Sequence, residues 1–143
     1  MEIINGERLV LGTCYYPEHW DESLWRDDLR RMLENGIEVI RIAEFAWSKI
    51  ERYEGVFNYD FFDRFLDLAE EMGMKVIFCT PTATPPAWLT EKYPEVLNAN
   101  MDGVLYRHGA RRHYNYNSPK YQELTRIIVE KSASHYAKHP AII

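Results

Sequence analysis

Apolar runs of strand length alternate along this chain with segments whose apolar residues recur at helical spacing. Three runs predict β-strands: Leu9–Tyr16, Ile37–Ala43 and Lys75–Thr80. The first of them is apolar enough to be buried on both faces of a sheet. Amphipathic helices are predicted after each strand, over residues 21–35, 60–72 and 119–138. This βαβαβα order predicts parallel strands that are joined by crossover helices.

A seven-residue pattern occurs twice at helix-to-strand junctions. The segment Glu34–Ile40 returns as Glu71–Ile77, and in each copy a helix ends at a glycine before an apolar run. Glycine suits this position because a helix stop favours left-handed backbone, which costs glycine nothing. A third junction lies at residues 134–140, so we expect a fourth strand to begin at Ala141–Ile143. We therefore expect this sequence to be the opening part of a larger parallel α/β fold.

The segments between these elements favour a barrel over a nucleotide-binding sheet. A doubly wound nucleotide fold has a glycine-rich turn after its first strand, whereas this chain has the bulky segment Tyr15–Trp20 there. A (β/α)8 barrel is therefore the preferred fold, and barrel enzymes carry their chemistry on the loops after the strands. Two such loops are predicted, over residues 44–59 and over the proline-rich residues 81–118.

Composition and charge narrow the classes of function. The 143 residues suffice for one domain, and the net charge of −5 without a basic stripe argues against nucleic-acid binding. No apolar run is long enough to span a membrane, and the N-terminus does not resemble a signal peptide, so we expect a cytoplasmic protein. Cys14 and Cys79 lie in apolar runs and are predicted to be small buried residues. Aromatic residues make up 14% of the chain, which fits a packed core or a sugar or peptide site.

Candidate chemistry follows the second predicted strand. Arg41 lies at its end, with Glu44 and Trp47 just beyond. A guanidinium inside a barrel needs carboxylate partners, so Arg41 either faces an acidic site, which we favour, or forms a structural ion pair. Glu44 is the only carboxylate at a predicted strand end, while a retaining hydrolase needs two.

The long loop after the third strand adds further candidates. Trp88 either stacks on a substrate or plugs the rim of the barrel. Arg111 and Arg112 are adjacent, so their side chains point to different sides: one faces a site, or both belong to a solvated basic turn. The pair Glu18 and His19 fits a hydrogen-bonded loop better than a metal site. The chain has no serine elbow, phosphate loop or metal-spaced histidine cluster.

Taken together, five spaced segments resemble the N-terminal part of the bacterial β-galactosidases of glycoside hydrolase family 42. They occur in the order of that family, and the resemblance covers nearly the whole chain from about Leu9. The segments are Gly12–Trp20, Ile40–Ser48, Glu54–Gly55, Thr82–Leu89 and Arg111–Tyr114.

The resemblance implies a retaining hydrolase of terminal β-galactosides that is built on a (β/α)8 barrel. Residues 1–143 would be the N-terminal part of a single catalytic domain, with the first three βα units and the start of strand four. The family's acid/base is the Glu of an Asn-Glu pair at the end of strand four, and its nucleophile is a Glu at the end of strand seven. Neither position lies in this sequence, so we expect no catalytic residue in it.

The same resemblance assigns roles to residues that are present. Arg111 would bind the galactose unit and Arg41 would support the nucleophile, while Glu44, Trp47 and Trp88 are expected to line the site. Many family members hold a structural zinc on four cysteines, one of them at the position of Asn115, so we expect neither this metal nor an organic cofactor. A homotrimer acting on small galactosides, without nucleic-acid or membrane partners, is implied. Two alternatives stay open: another retaining barrel β-glycosidase, and a non-catalytic barrel fragment.

Overall fold

The computed structural model describes residues 9–109 and 112–143. These residues divide into two compact units: one contains the described parts of Met1–Ala43, Tyr59–Cys79 and Tyr136–Ile143, and the other contains the described parts of Glu44–Asn58 and Thr80–His135. In chain order the elements are β1 (Leu11–Cys14), α1 (Glu22–Glu34), β2 (Ile37–Ile42), α2 (Trp47–Ile50), β3 (Glu51–Tyr53), β4 (Val56–Phe57), α3 (Asp60–Met72), β5 (Lys75–Phe78), α4 (Ala87–Lys92) and α5 (Pro119–Tyr136).

The first unit contains the predicted parallel sheet. Its strands lie in the order β1-β2-β5, and both neighbouring pairs are parallel. The helices α1 and α3 contact each other, and they pack against β2 and β5. The indole of Trp25 meets the ring of Phe65 edge-on, with 5.1 Å between ring centroids. Leu29, Ile40 and Phe65 are fully buried, so the core of this unit lies between the two helices and the sheet.

Local signals set the ends of these helices as the sequence predicts. Asp21 accepts a hydrogen bond from the backbone N–H of Ser23 at 2.9 Å, which caps the first turn of α1. Gly36 and Gly73 follow α1 and α3 with φ of 79° and 78°, in the left-handed region that a residue with a Cβ avoids. The chain can therefore turn directly from each helix into the next strand.

The first strand departs from its prediction. All four residues of β1 are exposed, so the expectation that this strand is buried on both faces is wrong. Cys14 is exposed as well, which contradicts its prediction as a buried residue, and Cys79 is half-buried. The reason is topological: β1 lies at an edge of the sheet, and within residues 9–109 and 112–143 its strand partner is β2.

The last residues of the chain form an isolated parallel bridge at the place where the third junction predicts a fourth strand, and the strand itself stays a prediction. Ile142 forms a parallel bridge with Val76 of β5. The N–H of Val76 donates to the carbonyl of Ala141 at 2.8 Å, and the N–H of Ile143 donates to the carbonyl of Val76 at 3.1 Å. The segment 141–143 thus lies beside β5, on the side opposite to β2.

The second unit is more structured than two predicted loops. Residues 44–59 contain α2 and an antiparallel hairpin of β3 and β4, which turns at Gly55 with φ of 78°. Outside residues 110–111, the segment 81–118 contains α4, two 3₁₀ turns and an antiparallel bridge between Leu97 and Tyr114. Three-residue and two-residue strands are too short to show periodicity, which is why the sequence predicts only a loop there. No helix within the described residues is long and apolar enough to cross a membrane.

Candidate functional site

Arg41 occupies the position that the sequence predicts. It is the penultimate residue of β2, and it lies in register between Cys14 of β1 and Ile77 of β5. Its side chain is half-buried, whereas Ile40 and Ile42 on either side of it are fully buried. Because side chains alternate between the faces of a strand, Arg41 points away from the core formed with α1 and α3. Its role in supporting a nucleophile stays a prediction.

The backbone directly after β2 is strained. Ala43 is fully buried and has φ of 67°, a left-handed conformation that residues with a Cβ rarely adopt. Such strain costs on the order of 1–3 kcal/mol and is concentrated at functional positions in proteins. Glu44 follows with a half-buried side chain. The strained residue therefore lies between Arg41 and Glu44, the two site residues that the sequence predicts at the end of this strand.

Trp47 lies in the interior of the second unit. It has no exposed surface, and its indole Nε1–H donates to Oε2 of Glu51 at 2.7 Å. A ring without accessible surface cannot contact a ligand in this conformation. An influence of Trp47 on ligand binding in this conformation would therefore be exerted through Glu51, and the predicted place of Trp47 in the lining of a site stays a prediction.

Trp88 is bound to the same glutamate through the main chain. Its indole Nε1–H donates to the backbone carbonyl of Glu51 at 3.0 Å. The side chain lies in α4 and is half-buried, so part of the ring is accessible to a ligand. Of the two candidate tryptophans, Trp88 is the one that keeps surface for stacking.

The predicted sugar-binding arginine, Arg111, lies outside the described residues together with Ala110. The residue after it, Arg112, is exposed and has φ of 59°, the second left-handed residue with a Cβ in the described chain. His113 and Tyr114 then bury their side chains, with 1% and 4% exposure. The chain therefore passes from an exposed arginine to a buried anchor within two residues.

Backbone hydrogen bonds fix this anchor on both sides. The N–H of Asn98 donates to the carbonyl of His113 at 2.7 Å, and the N–H of Asn115 donates to the carbonyl of Val96 at 2.8 Å. The ring of Tyr114 stacks on Tyr121 of α5 with 4.6 Å between centroids. Burial of the Tyr114 hydroxyl, and its hydrogen bond with Tyr116, raise the pKa of Tyr114 to about 12, so the side chain is neutral at physiological pH.

Tyr121 also reaches the loop that follows β5. Its hydroxyl donates to the carbonyl of Thr82 at 2.7 Å, and burial raises the pKa of this hydroxyl far above its ordinary value. On the same loop, the hydroxyl of Thr84 donates to the carbonyl of Phe45 at 3.1 Å. These two bonds hold the start of the proline-rich segment to α5 and to the segment after β2. This part of the chain therefore has a defined conformation, although its sequence shows little hydrophobic periodicity.

His108 is a titratable group that sequence reasoning did not select. Its Nδ1 lies 2.9 Å from the hydroxyl of Thr90, and that hydroxyl donates to the carbonyl of Ala87 at 3.2 Å. The hydroxyl therefore accepts from His108, which assigns the proton of the neutral ring to Nδ1. Burial, and then the neighbouring His113, lower the pKa of His108, so both effects favour this neutral form.

Two places in the chain bear on metal binding. The side chain of Asn115 accepts from the N–H of Asn117 at 2.9 Å and so forms the turn before α5. The expected absence of zinc at this position stays a prediction.

In the first unit, Asp67, Glu70 and His139 bring possible ligand atoms within 4.8 Å of one another. However, Nδ1 of His139 accepts from the N–H of Ala141 at 3.3 Å, so neutral His139 carries its proton on Nε2, towards Asp67. A protonated Nε2 does not ligate a metal, so this geometry favours a hydrogen bond from His139 to Asp67 over a metal site.

An open groove in the first unit is lined by none of the predicted site residues. It encloses about 420 Å³, and none of Arg41, Glu44, Trp47 or Trp88 lines it. Its walls are formed beside β1 and along α1, by Cys14, Tyr16, His19, Trp20, Leu24 and Asp28. Glu18 is half-buried and Trp20 is 54% exposed, so the segment after β1 presents aromatic surface at this edge of the sheet.

Sequence reasoning missed Glu51, which is 3% exposed and contacts both candidate tryptophans. One signal was present: Trp47 and Glu51 are four residues apart, a spacing that brings two side chains to the same side of a helical turn. The sequence predicts Glu44 instead, because barrel enzymes carry their chemistry on the loops after the strands. The bond between Trp88 and the Glu51 carbonyl joins residues 37 positions apart and has no local signal.

Comparison with known proteins agrees with the arrangement of the strands and loops. The model of the glycoside hydrolase family 42 described as β-galactosidase matches residues 14–143. The β-galactosidase BgaA of a Thermus species is 44% identical over 133 residues, which are 93% of this chain and 21% of that protein. The β-galactosidase Bga of Halorubrum lacusprofundi is 42% identical over 132 residues, which are 92% of this chain and 19% of that protein.

Solved structures give the same result. The crystal structure of the β-galactosidase from the psychrophilic Marinomonas ef1 superposes with a TM-score of 0.90 at 42% identity, over 94% of this chain and 20% of that one. The β-galactosidase of Halorubrum lacusprofundi superposes with a TM-score of 0.89 at 41% identity, over the same shares. The chain thus spans about a fifth of the length of the relatives that it matches.

Proposed function

Since this chain belongs to the β-galactosidases of glycoside hydrolase family 42, we propose that a full-length protein built on it is a retaining exo-β-galactosidase. Its substrates would be small β-D-galactosides, from which it removes the terminal galactose by double displacement. The observation that carries this proposal is the 44% identity to a named β-galactosidase over 93% of the chain.

We infer that the chain forms the first three βα units of a (β/α)8 barrel, with strand four beginning at Ala141. The parallel order β1-β2-β5 and the bridge from Ile142 to Val76 support this arrangement. A strand that continues from Ile142 parallel to β5 would end at the edge where β2 ends. A catalytic carboxylate at that end would therefore be carried to the same edge of the sheet as Arg41.

The chemistry that this scheme requires fits the residues in the chain. Double displacement uses two carboxylates roughly 5 Å apart, one as acid/base and one as nucleophile. A guanidinium near the nucleophile keeps it ionised, which is the role we propose for Arg41. We propose that Arg111 donates hydrogen bonds to galactose hydroxyls and that Trp88 offers its accessible ring to the sugar. Glu44 alone cannot perform both carboxylate steps.

The experiment compares this chain with a protein of full family length that contains it. The longer protein should hydrolyse nitrophenyl β-D-galactoside in preference to the matching β-glucoside, whereas the 143-residue chain should hydrolyse neither. A preference for the glucoside would contradict the proposed substrate and favour another barrel β-glycosidase. If the 143-residue chain hydrolyses a substrate and still does so after Glu44→Gln, the proposal that both catalytic carboxylates lie outside these residues is wrong.

A further inference from the structure

Glu51 is a buried carboxylate in the second unit, at the junction of α2 and the β3–β4 hairpin. It is 3% exposed, although ionised carboxylates are rarely buried without a cationic partner. Within the described part of the chain, no lysine, arginine or histidine forms an ion pair with it. Its two oxygens must therefore be satisfied by neutral hydrogen-bond donors, and their burial needs a structural reason.

Both carboxylate oxygens of Glu51 accept a short hydrogen bond from a neutral donor. The indole Nε1–H of Trp47 donates to Oε2 at 2.7 Å, and the backbone N–H of Gly55 donates to Oε1 at 2.7 Å. A carboxylate is the only side-chain group that offers two equivalent acceptors without a donor of its own. Glutamine in this position would turn its NH2 group towards one of the two N–H donors and lose that bond.

The main chain of the same residue holds the other tryptophan. The carbonyl oxygen of Glu51 accepts from Nε1 of Trp88 at 3.0 Å. The direction of this carbonyl depends on the conformation of the hairpin, and the bond from Gly55 to the Glu51 carboxylate closes the hairpin turn. The carboxylate therefore acts on Trp88 indirectly, by fixing the peptide group to which Trp88 is bound.

A second glutamate, Glu54, joins the hairpin to α4 independently. Its carboxylate forms an ion pair with Lys92 and accepts from the hydroxyl of Tyr93 at 2.7 Å. These bonds lower the pKa of Glu54, so it is ionised at neutral pH. The indole N–H groups of Trp47 and Trp88 donate to Glu51 and not to Glu54. Glu54 is therefore a matched control, because it is a glutamate of the same hairpin and is bonded to the end of α4.

We propose that Glu51 is a positioning residue, whose carboxylate fixes Trp47 and the hairpin turn and thereby orients Trp88 towards the substrate. The first part concerns the geometry of this chain alone. The second part, orientation towards a sugar, rests on the proposed function. The two parts can be tested separately because one has a spectroscopic readout and the other a kinetic one.

The spectroscopic test uses this chain labelled with 15N at its four tryptophans. In the unchanged chain, the indole N–H groups of Trp47 and Trp88 should exchange with solvent at least about tenfold more slowly than that of Trp20, which is 54% exposed. Glu51→Gln should shift both of these resonances and remove the protection of Trp47, while Glu54→Gln should leave the Trp47 resonance in place. Rapid exchange of Trp47 in the unchanged chain would overturn the proposal, even if the Glu51 variant fails to fold.

The kinetic test uses the full-length protein and a nitrophenyl galactoside. Glu51→Gln should lower kcat/KM by about tenfold to a hundredfold, mainly through KM, because a misplaced Trp88 weakens sugar binding in the ground state as well. Glu54→Gln should change kcat/KM less than about threefold. Unchanged kinetics for Glu51→Gln, together with shifted indole resonances, would overturn the orientation of Trp88 towards the substrate. A full-length protein that cleaves no galactoside would refute the proposed function and leave the spectroscopic result to decide the geometry.

Discussion

The hydroxyl of Tyr15, directly after β1, donates a hydrogen bond to Oδ2 of Asp28 in α1 at 2.8 Å. The tyrosine is 6% exposed, and its ring stacks on Phe65 with 5.8 Å between centroids. Burial raises the pKa of Tyr15 well above its ordinary value, and the bond and charge of Asp28 raise it further. The contact between strand and helix therefore depends on a phenol that stays protonated.

This dependence predicts a loss of stability in alkali. For Tyr15, Tyr121 and Tyr136 the pKa in the folded state is raised above the unfolded value of about 10. Each hydroxyl contributes its full stabilisation below about pH 10, and this is lost as the pH rises towards the folded pKa. The free energy of unfolding should fall by at most about 1.4 kcal/mol per pH unit for each such group. Urea unfolding between pH 8 and pH 11 measures this decline in the free energy of unfolding, and tyrosinate absorbance recorded in parallel shows when the tyrosines ionise.

Tyr15→Phe is the control for this prediction. It removes the bond to Asp28, so stability at pH 8 should fall by about 1 kcal/mol, while the alkaline decline becomes less steep. If all ten tyrosines titrate together near pH 10 without unfolding, the burial of the Tyr15, Tyr121 and Tyr136 hydroxyls is wrong.

The left-handed backbone at Ala43 predicts an unusual response to glycine. Ala43→Gly relieves strain of about 1–2 kcal/mol and costs about 0.4–1 kcal/mol in chain entropy, so stability should be unchanged or rise slightly. Ala69 is equally buried in α3, and there the same substitution should cost about 1 kcal/mol or more. Ala43→Val should cost about 2–4 kcal/mol, since the site combines positive φ with full burial. Urea unfolding of the three variants gives the order, and equal losses at both glycine variants would contradict the strained φ.

Exposure of β1 predicts the order in which the two thiols react. Cys14 is exposed and Cys79 is half-buried, so an aromatic disulfide reagent at neutral pH should label Cys14 first. Cys14→Ser should abolish the fast phase and leave the slow one. A fast phase that is instead removed by Cys79→Ser would restore the original expectation that Cys14 is a buried residue.

Adjacent arginines allow a direct comparison in the full-length protein. Arg111→Ala should lower kcat/KM by roughly thirtyfold to a thousandfold, because sugar hydroxyls lose their donors in a desolvated pocket. Arg112→Ala should cost less, since its side chain is exposed. Steady-state kinetics rank the two variants. The reverse order would transfer the sugar contact from Arg111 to Arg112.

Regular elements with strong local signals were predictable from the sequence. The helix from residue 60 to residue 72 was predicted with the bounds that α3 shows, because its apolar stripe and terminal glycine agree. The hairpin of β3 and β4 was missed because strands of three and two residues show no alternation, and Gly55 alone does not specify a turn. Burial of β1 was mispredicted because apolar composition does not reveal which strand lies at a sheet edge.

The candidate site was only partly predictable for a similar reason. Arg41 and Trp88 occupy the strand end and the loop that their sequence positions indicate. The burial of Trp47 and the role of Glu51 depend on hydrogen bonds that involve a hairpin the sequence did not predict. Side-chain partners set by tertiary packing leave no pattern in one sequence, whereas strand ends and helix caps do.

The stereochemistry of the released sugar tests the central claim most directly. A full-length protein that contains this chain should be incubated with nitrophenyl β-D-galactoside, and the anomeric proton of the product followed by NMR from the first minutes. Double displacement inverts the anomeric centre twice, so β-galactose should appear first and the α anomer only later through mutarotation. Initial release of α-galactose would show single displacement and contradict the retaining mechanism, and release of no galactose would contradict the proposed activity.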